Sequence, residues 1–296
     1  MQVLVNGAAA WNTLVHVAAL PEPRSQMLMA SRHHDGIGGT SAGKAVTLAA
    51  LGVDVTLSTL LGDDEEAEKV RRALRHDRVR LVVQPARAGR TERHVNLMAD
   101  DGSRISIYLE LPSGPPEPAA DVLAALDTAD AAVLDLADSS VPLLTAARAR
   151  GVPVWCDVHD DDVSGYARPF ADAADVLLVS ADRLPDVRAY LRARVDAGCR
   201  LAVCTDGARG AIALDGDGWW EVAAAPVADV VDTNGAGDAF LAGLLAAHAE
   251  GRGTAEALAW ASAVGAMAVT TTALGAPHAT RVAAAALAST VRVARV

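Results

Sequence analysis

The chain has 296 residues, of which 51% are hydrophobic and 3% aromatic. This length suits one large α/β domain or two smaller ones, with a core packed mainly by Ala, Val and Leu. A formal net charge of −11 argues against a general nucleic-acid binder and against binding to anionic membranes.

The cysteines and the N-terminal segment indicate a cytoplasmic protein. Cys156, Cys199 and Cys204 form no C-x-x-C pair, and their odd number favours reduced thiols over a disulfide framework or a zinc site. No basic region precedes the first apolar run, so a signal peptide is not predicted. No uninterrupted apolar stretch is long enough to span a bilayer.

The first part of the chain predicts short strands, a glycine turn and two helices. Apolar runs predict strands at 2–5, 14–19, around Met27–Met29 and at 53–61. Residues 36–39 are expected to form a turn. Helices are predicted at 41–51, ending at Gly52, and at 63–75, where acidic residues come early and basic residues late, as suits the helix dipole.

From Leu81 onward a hairpin is followed by alternating strands and helices. Segments 91–99 and 104–111 flank the turn signal Asp-Asp-Gly-Ser and predict a β-hairpin. Further strands are expected at 131–136, 152–158, 176–180 and 201–205, a hairpin at 211–222, and helices at 141–150, 186–197, 234–249, 254–271 and 283–288. This alternation predicts an α/β fold with a mostly parallel central sheet flanked by helices on both faces.

The stretch Val231–Phe240 carries the clearest chemical signal. Gly235 and Gly237 permit close backbone approach to a ligand, and the free amides that begin the following helix form an anion site. Asp238 lies in the same turn, where a carboxylate can serve as a base for a hydroxyl that attacks a phosphate. The sequence therefore predicts phosphoryl transfer at this turn.

This stretch resembles the Asp-Thr-x-Gly-Ala-Gly-Asp signature of the ribokinase-like (PfkB) carbohydrate kinases. The resemblance implies a single ribokinase-like domain over residues 1–296, with a small β-sheet lid from segments at about 12–36 and 91–111. It also implies ATP and Mg²⁺ as cofactors, and leaves a monovalent cation possible.

Three further motifs resemble this family in the expected order. Gly38–Ala45 resembles the family's Gly-Gly signature, which is followed by a helix closing at Leu-Gly. The same residues nearly fit a Walker A loop, but Ala45 lacks the hydroxyl that a P-loop gives to magnesium. Residues 203–210 contain the Thr-x-Gly-x-x-Gly pattern that lies along ATP in the family, and Gly275 matches a Gly-Ala near its adenine pocket.

The resemblance assigns roles to individual residues. Asp238 is implied as the base, with Gly235, Ala236 and Gly237 around the transferring phosphoryl group. The residues implied in substrate binding are Asn12, Gly38, Gly39, Gly43, Lys44 and Asp238. Those implied in nucleotide binding are Thr205, Gly207, Gly210, Thr233, Gly235, Gly237 and Gly275.

Several departures from the family pattern concern the acceptor. Asn12 stands where sugar kinases carry an aspartate, Gly43 replaces an asparagine, and Ala137 stands where some ribose-specific members carry a carboxylate. A site that recognises a sugar by its hydroxyls needs polar side chains that hydrogen-bond to them. The loss of these side chains therefore argues against ribose as the substrate. Lys44 could meet an acidic or phosphorylated substrate, although a lysine on the helix surface is the favoured interpretation.

The family's Asn-x-x-Glu motif, linked to magnesium, is absent from the expected place. Residues 180–183 read Ser-Ala-Asp-Arg there, and Asp182 could hold the metal only through a water. His159 and the aspartates at 160–162 suggest metal ligands, but a solvated loop is favoured. No metal ligand is therefore assigned.

The prediction is an ATP-dependent kinase that phosphorylates a hydroxyl of a small sugar or sugar-like substrate other than ribose. Three alternatives stay open: a nucleoside kinase of the same fold, a non-catalytic sugar- or nucleotide-binding homologue, and a P-loop NTPase that uses Lys44. A homodimer through the lid is possible, and no nucleic-acid or membrane partner is expected.

Overall fold

The fold is described from a computed structural model for residues 1–87, 89–160 and 165–296. Its strands are β1 (Gln2–Asn6), β2 (Ala10–Val17), β3 (Arg32–Gly38), β4 (Asp54–Leu61), β5 (Val79–Pro85), β6 (Arg93–Ala99), β7 (Arg104–Glu110), β8 (Ala131–Leu134), β9 (Val154–Asp157), β10 (Val176–Ser180), β11 (Leu201–Thr205), β12 (Ala211–Asp215), β13 (Gly218–Val222) and β14 (Val293–Arg295). Its helices are α1 (Thr40–Ala50), α2 (Glu65–Ala73), α3 (Ala120–Leu126), α4 (Val141–Arg150), α5 (Arg168–Ala173), α6 (Val187–Asp196), α7 (Ala236–Ala249), α8 (Thr254–Ala268) and α9 (Arg281–Ala288).

Most of the strands form one large sheet in the order β14-β13-β12-β11-β10-β9-β8-β1-β4-β5. The pairs from β11 to β5 are parallel, and β12, β13 and β14 continue the sheet antiparallel at one edge. The predicted mostly parallel sheet is confirmed. Parallel strands end at a common edge, so the residues after β1, β8, β9, β10 and β11 come together there.

Hydrophobic packing covers both faces of this sheet. Successive strand residues point to opposite faces, so Val3 and Val5 pack in one core and Leu4 in the other. The first core also contains residues of α1, α2, α7, α8 and α9, and the second those of α3 to α6. Because the central strands are buried on both sides, they read as continuous apolar runs rather than as alternating patterns.

A separate sheet of four strands stands apart, in the order β3-β2-β6-β7. Its central pair, β2 with β6, is parallel, while β3 and β7 pair antiparallel at the two edges. These strands come from the two segments predicted to form the lid, and the hairpin of β6 and β7 lies where the turn signal predicted it.

Several local predictions in the early chain are wrong. Met27, Leu28 and Met29 form no strand and are exposed, because no neighbouring strand pairs with them. The turn predicted at 36–39 is instead the end of β3, which continues to Gly38. Strand β5 was not predicted, because its arginine-rich surroundings hide an edge strand that pairs with β4.

No helix in the described part of the chain is long and apolar enough to cross a membrane.

Asp64 ties the start of α2 to the segment that enters β6. Its carboxylate accepts hydrogen bonds from the Ala67 amide at 2.9 Å, the Thr91 amide at 2.8 Å and the Thr91 hydroxyl at 2.6 Å. Burial alone would raise the pKa of Asp64, but these hydrogen bonds and Arg90 hold it below its usual value. The ionised carboxylate therefore stabilises the native state.

We expect Asp64→Ala to lower the free energy of unfolding by about 1–2 kcal/mol at neutral pH, as for a lost helix cap. Because the native pKa is lowered, this contribution is present above the unfolded pKa and is lost as the pH falls through the native pKa. Urea unfolding at neutral and acidic pH measures both effects. Asp186→Ala is the matched control, because Asp186 caps α6 and accepts a hydrogen bond from a single amide, that of Ala189. This variant should lower the free energy of unfolding by less than Asp64→Ala does.

Candidate active site

The N-terminus of α7 holds the predicted base. Gly235 precedes the helix with φ of 77°, and a Cβ atom there would lie 2.9 Å from the Gly275 amide nitrogen. Glycine is therefore required at this position for both its backbone conformation and its close contact. Asp238 follows in the first turn of the helix and is only 7% exposed. The first amides of α7 have no acceptors within the helix, so they can bind an anion beside this carboxylate.

Lys44 lies directly beneath this carboxylate. Its Nζ donates to Asp238 Oδ1 at 2.7 Å, and it forms ion pairs with Asp135 Oδ1 at 3.0 Å and Asp157 Oδ2 at 3.4 Å. The side chain of Lys44 is completely buried. The predicted position on the helix surface is therefore wrong, because three carboxylates supply the partners that a buried ammonium requires. This burial also leaves no exposed area of Lys44 for direct contact with a substrate.

The charges in this cluster shift one another's ionisation. Burial alone would lower the pKa of Lys44, but Asp135, Asp238 and Asp157 raise it well above its usual value. For Asp238, burial raises the pKa above the usual carboxyl value, against the opposing charge of Lys44. A base with a raised pKa is a stronger proton acceptor once it is ionised.

Gly43 makes room for Asp238 against α1. A Cβ atom at this position would lie 2.9 Å from Asp238 Oδ2 and 3.3 Å from its Cβ. The substrate contact of Gly43 stays a prediction. The structure shows that Gly43 has a packing role, because its missing side chain lets the Asp238 carboxylate approach α1.

The small sheet places Asn12 against Gly38, and Gly39 follows where the sheet joins α1. Asn12 Oδ1 accepts a hydrogen bond from the His94 amide at 3.0 Å, and the Asn12 side chain packs on Gly38. Gly39 caps α1 with φ of 95°. Asn12 is 4% exposed, so its side chain already links β2 to β6 inside the protein.

Two arginines of the small sheet contact the segment that precedes α7. Arg104 Nη1 donates to Asn234 Oδ1 at 2.9 Å, and Arg32 Nη2 donates to the Val231 carbonyl at 3.5 Å. Arg104 lies 130 positions before Asn234 in the chain, and Arg32 lies 199 positions before Val231. The contacts join both edge strands of the small sheet, β3 and β7, to the segment that precedes α7.

The residues predicted for the nucleotide lie in two groups. Thr205 ends β11, and Gly207 and Gly210 flank the short turn after it. Thr233 and Gly235 belong to the turn before α7, next to Gly275, which packs against α1 through the Gly43 carbonyl and Thr47 hydroxyl. Asp182, considered as an indirect metal ligand, lies after β10, where its Oδ2 accepts from the Ser180 hydroxyl at 3.0 Å.

Asp135 and Asp157 were missed at the level of sequence. Asp135 directly follows β8 and Asp157 ends β9, so both occupy the carboxyl edge of the parallel sheet. Asp135 Oδ2 also accepts from the Ser41 hydroxyl at 2.6 Å, which fixes the cluster to α1. An aspartate at the end of a buried parallel strand was the available signal, because ligands bind at that edge.

Comparison with known proteins shows the family. The profile described as pfkB family carbohydrate kinase matches residues 6–281, and the chain belongs to this family. The acarbose 7(IV)-phosphotransferase of Actinoplanes sp. is 34% identical over 277 residues, covering 90% of this chain and 92% of that protein. The aminoimidazole riboside kinase of Salmonella typhimurium is 32% identical over 265 residues, covering 79% of this chain and 82% of that protein.

A solved structure supports the ribokinase-like fold over nearly the whole chain. The microbiome-derived acarbose kinase Mak1 superposes with a TM-score of 0.84 at 25% identity, covering 97% of this chain and 99% of that one. The chain is therefore a sugar phosphotransferase of the ribokinase-like class. The P-loop alternative is wrong, because Gly38–Ala45 joins the small sheet to α1 and Lys44 is buried among aspartates.

We expect Arg104→Ala to raise the KM for the acceptor several-fold, up to about 10-fold, because a hydrogen bond that joins the small sheet to the segment before α7 is lost. Steady-state kinetics with the acceptor varied at saturating ATP measure this. Arg80→Ala removes an exposed arginine from β5 and is the charge-matched control. An unchanged KM in the Arg104 variant would contradict a role for this contact in closure.

Proposed function

We propose that this protein transfers the γ-phosphoryl group of ATP to a hydroxyl of a sugar-like acceptor other than ribose. The observation that carries the proposal is the buried Asp238 in the first turn of α7, beside the amides that begin this helix. Asp238 takes the proton of the acceptor hydroxyl. The amides around Gly235, Ala236 and Gly237 stabilise charge on the transferring phosphoryl group.

The nucleotide is proposed to lie between the two groups of residues predicted for it. Thr205, Gly207 and Gly210 would follow the nucleotide from the edge of β11, and Thr233, Gly237 and Gly275 would hold its other side. These glycines keep bulky side chains away from the path, and the start of α7 supplies donors to phosphate oxygens. Closure of the small sheet, acting as a lid, excludes water.

Magnesium fits this site only through the nucleotide. Within the described residues, no three His, Cys, Asp or Glu side chains surround a common position that could hold a metal ion. Mg²⁺ keeps several waters and binds through phosphates with few protein ligands, so Asp182 would act on its water shell. When bound, Mg²⁺ neutralises charge on the phosphates.

A monovalent cation is proposed at Asp232. Oδ1 of this residue accepts from the Asn234 amide at 2.8 Å, while Oδ2 is buried without a hydrogen-bond partner in the described structure. A buried carboxylate oxygen without a partner is costly, and a cation would satisfy it. Here the ion would stabilise the turn that leads to Gly235.

The acceptor is proposed to be larger than ribose and rich in hydroxyls. Asn12 is neutral and already committed to the His94 amide, so it does not supply the charged partner that sugar kinases direct at the hydroxyls of the sugar. Asn96 Oδ1, on the same face of the small sheet as Asn12, is buried without a partner among the described residues. Acarbose, the acceptor in the names of two similar proteins, is therefore the first compound to test.

The test is an ADP-release assay with MgATP and a panel of acarbose, ribose, fructose and purine nucleosides. We expect turnover with acarbose or another multi-ring sugar-like compound and little with ribose. Turnover confined to nucleosides would instead support a nucleoside kinase, which the similarity to the riboside kinase favours. Binding of a panel compound in the absence of any turnover would support a non-catalytic homologue.

A lid-mediated homodimer in the cytoplasm completes the proposal. Ile105, Ile107 and Leu109 alternate along β7 and leave apolar side chains exposed. A second copy would cover this row, and Ile107→Lys should then shift the protein toward a monomer in light scattering.

The three free cysteines and the use of ATP support the cytoplasmic location.

A further inference from the structure

The choice of lysine at position 44 stands out against the rest of the chain. Among the 26 lysine and arginine residues, Lys44 and Lys69 are the only lysines. Lys69 lies on α2 and is partly exposed, whereas the Lys44 side chain is completely buried. A compact ammonium with three donors can contact three separate carboxylates at once, which a planar guanidinium fits less well. The chain therefore uses its rare cation where this geometry is needed.

The three carboxylates around Lys44 come from three different elements. Asp135 follows β8, Asp157 ends β9, and Asp238 belongs to α7, so the ammonium joins the sheet to the helix that carries the base. Asp135 is in turn fixed by the Ser41 hydroxyl at 2.6 Å. Lys44 thus connects a rigid sheet edge to the one carboxylate that must keep an accurate position during phosphoryl transfer.

We propose that Lys44 is a positioning residue for the base, an inference that rests on the proposed function. Its Nζ holds Asp238 Oδ1 and turns Oδ2 toward the acceptor hydroxyl, whose proton Oδ2 takes. Gly43 is the second part of this arrangement, because any side chain there would push against Oδ2. The pair Gly43-Lys44 thereby replaces the asparagine-based pattern of the family with a direct anchor for the base.

The anchor also lowers the pKa of Asp238 relative to a base without the ammonium beside it. The charged groups that face Asp238 are Lys44 from α1, Asp135 from the end of β8, and Asp157 with His159 from the end of β9. Burial and the two neighbouring aspartates raise the pKa of Asp238, while Lys44 and His159 lower it. Removing Lys44 therefore raises this pKa further and moves the acidic limb of the kcat profile to higher pH.

The first test compares Lys44→Met with Lys69→Met across the pH range. We expect Lys44→Met to lower kcat by about 100-fold at neutral pH, as for a misplaced reacting group, with the KM for ATP nearly unchanged. Its acidic limb should lie at higher pH than that of the wild type. Lys69→Met should match the wild type in both respects. Equal kcat and equal pH profiles in the two variants would overturn the proposal.

A second variant covers the case in which Lys44→Met does not fold, because that change leaves three carboxylates without their cation. Lys44→Met combined with Asp157→Asn keeps the net charge of the cluster and is compared with Asp157→Asn alone. We expect the added Lys44 substitution to lower kcat by about 100-fold in this background as well. No added loss would show that the base works without a contact to Lys44 and would overturn the proposal.

A third measurement does not depend on turnover. Protein labelled with ¹⁵N and ¹³C in lysine gives two side-chain signals, and Lys69→Met assigns the remaining one to Lys44. We expect Asp238→Asn to shift the Lys44 Nζ signal and leave that of Lys69 in place. An unmoved Lys44 signal would overturn the anchor even in an active kinase. A moved signal in a protein that phosphorylates no acceptor would instead count against the proposed function alone.

Discussion

Replacing Asp238 with asparagine is expected to remove most turnover while the fold and ATP binding are retained. The amide keeps nearly the same shape at the start of α7, but it cannot take the proton of the acceptor hydroxyl. General-base catalysis contributes about 10²–10⁴-fold, so kcat should fall by that range. Because burial raises the pKa of Asp238, the wild-type kcat should rise with pH through a value above the usual carboxyl range.

Steady-state kinetics, together with calorimetric titration of a non-hydrolysable ATP analogue, measure both parts of this expectation. Asp121→Asn, which changes an exposed aspartate on α3, is the control for a general loss of negative charge. If Asp238→Asn phosphorylates at the wild-type rate, the assignment of the base is wrong. If it loses the nucleotide instead, Asp238 serves binding rather than proton transfer.

The sequence predicted the large sheet well because its physical signals are local. Buried parallel strands such as β8 and β10 give short apolar runs between polar turns, and these runs need no knowledge of their partners. The glycines and aspartate at the start of α7 also form one continuous motif. Both features were therefore accessible from neighbouring residues alone.

The charge cluster could not be predicted in the same way. Lysine is rarely buried, so exposure was the reasonable expectation for Lys44. Its burial depends on Asp238, 194 positions away, and on two aspartates at the ends of β8 and β9. Local sequence does not show that these ends meet α1. The strand predicted at Met27–Met29 is wrong for the opposite reason. The local sequence there is hydrophobic, but no neighbouring strand pairs with it.

The family resemblance and the geometry differ in what they say about position 43. The resemblance treats the missing asparagine as a lost substrate contact, whereas the structure gives the glycine a packing role against Asp238. The same replacement that removes a polar group from the acceptor side thus allows the base to approach α1. If position 43 also borders the acceptor, as the resemblance implies, we expect substrate choice and placement of the base to be coupled there.

Gly235→Ala is expected to lower kcat by about 10²–10³-fold, the usual effect of disturbing donors that stabilise transition-state charge. Gly235 has φ of 77°, and an added Cβ would lie 2.9 Å from the Gly275 amide nitrogen. The backbone must shift to relieve this contact, which moves the amides at the start of α7. The left-handed conformation itself should cost about 1–2 kcal/mol in the free energy of unfolding.

Gly251→Ala separates these two effects. Gly251 has φ of 74°, close to that of Gly235, but no atom lies within 4 Å of its added Cβ. Urea unfolding should therefore show a similar loss of about 1–2 kcal/mol for this variant, from the same backbone conformation. Its kcat should match the wild type, because Gly251 lies beyond the opposite end of α7. Equal kcat in the two alanine variants would mean that the turn before α7 tolerates displacement, and that its amides do not stabilise the transferring phosphoryl group.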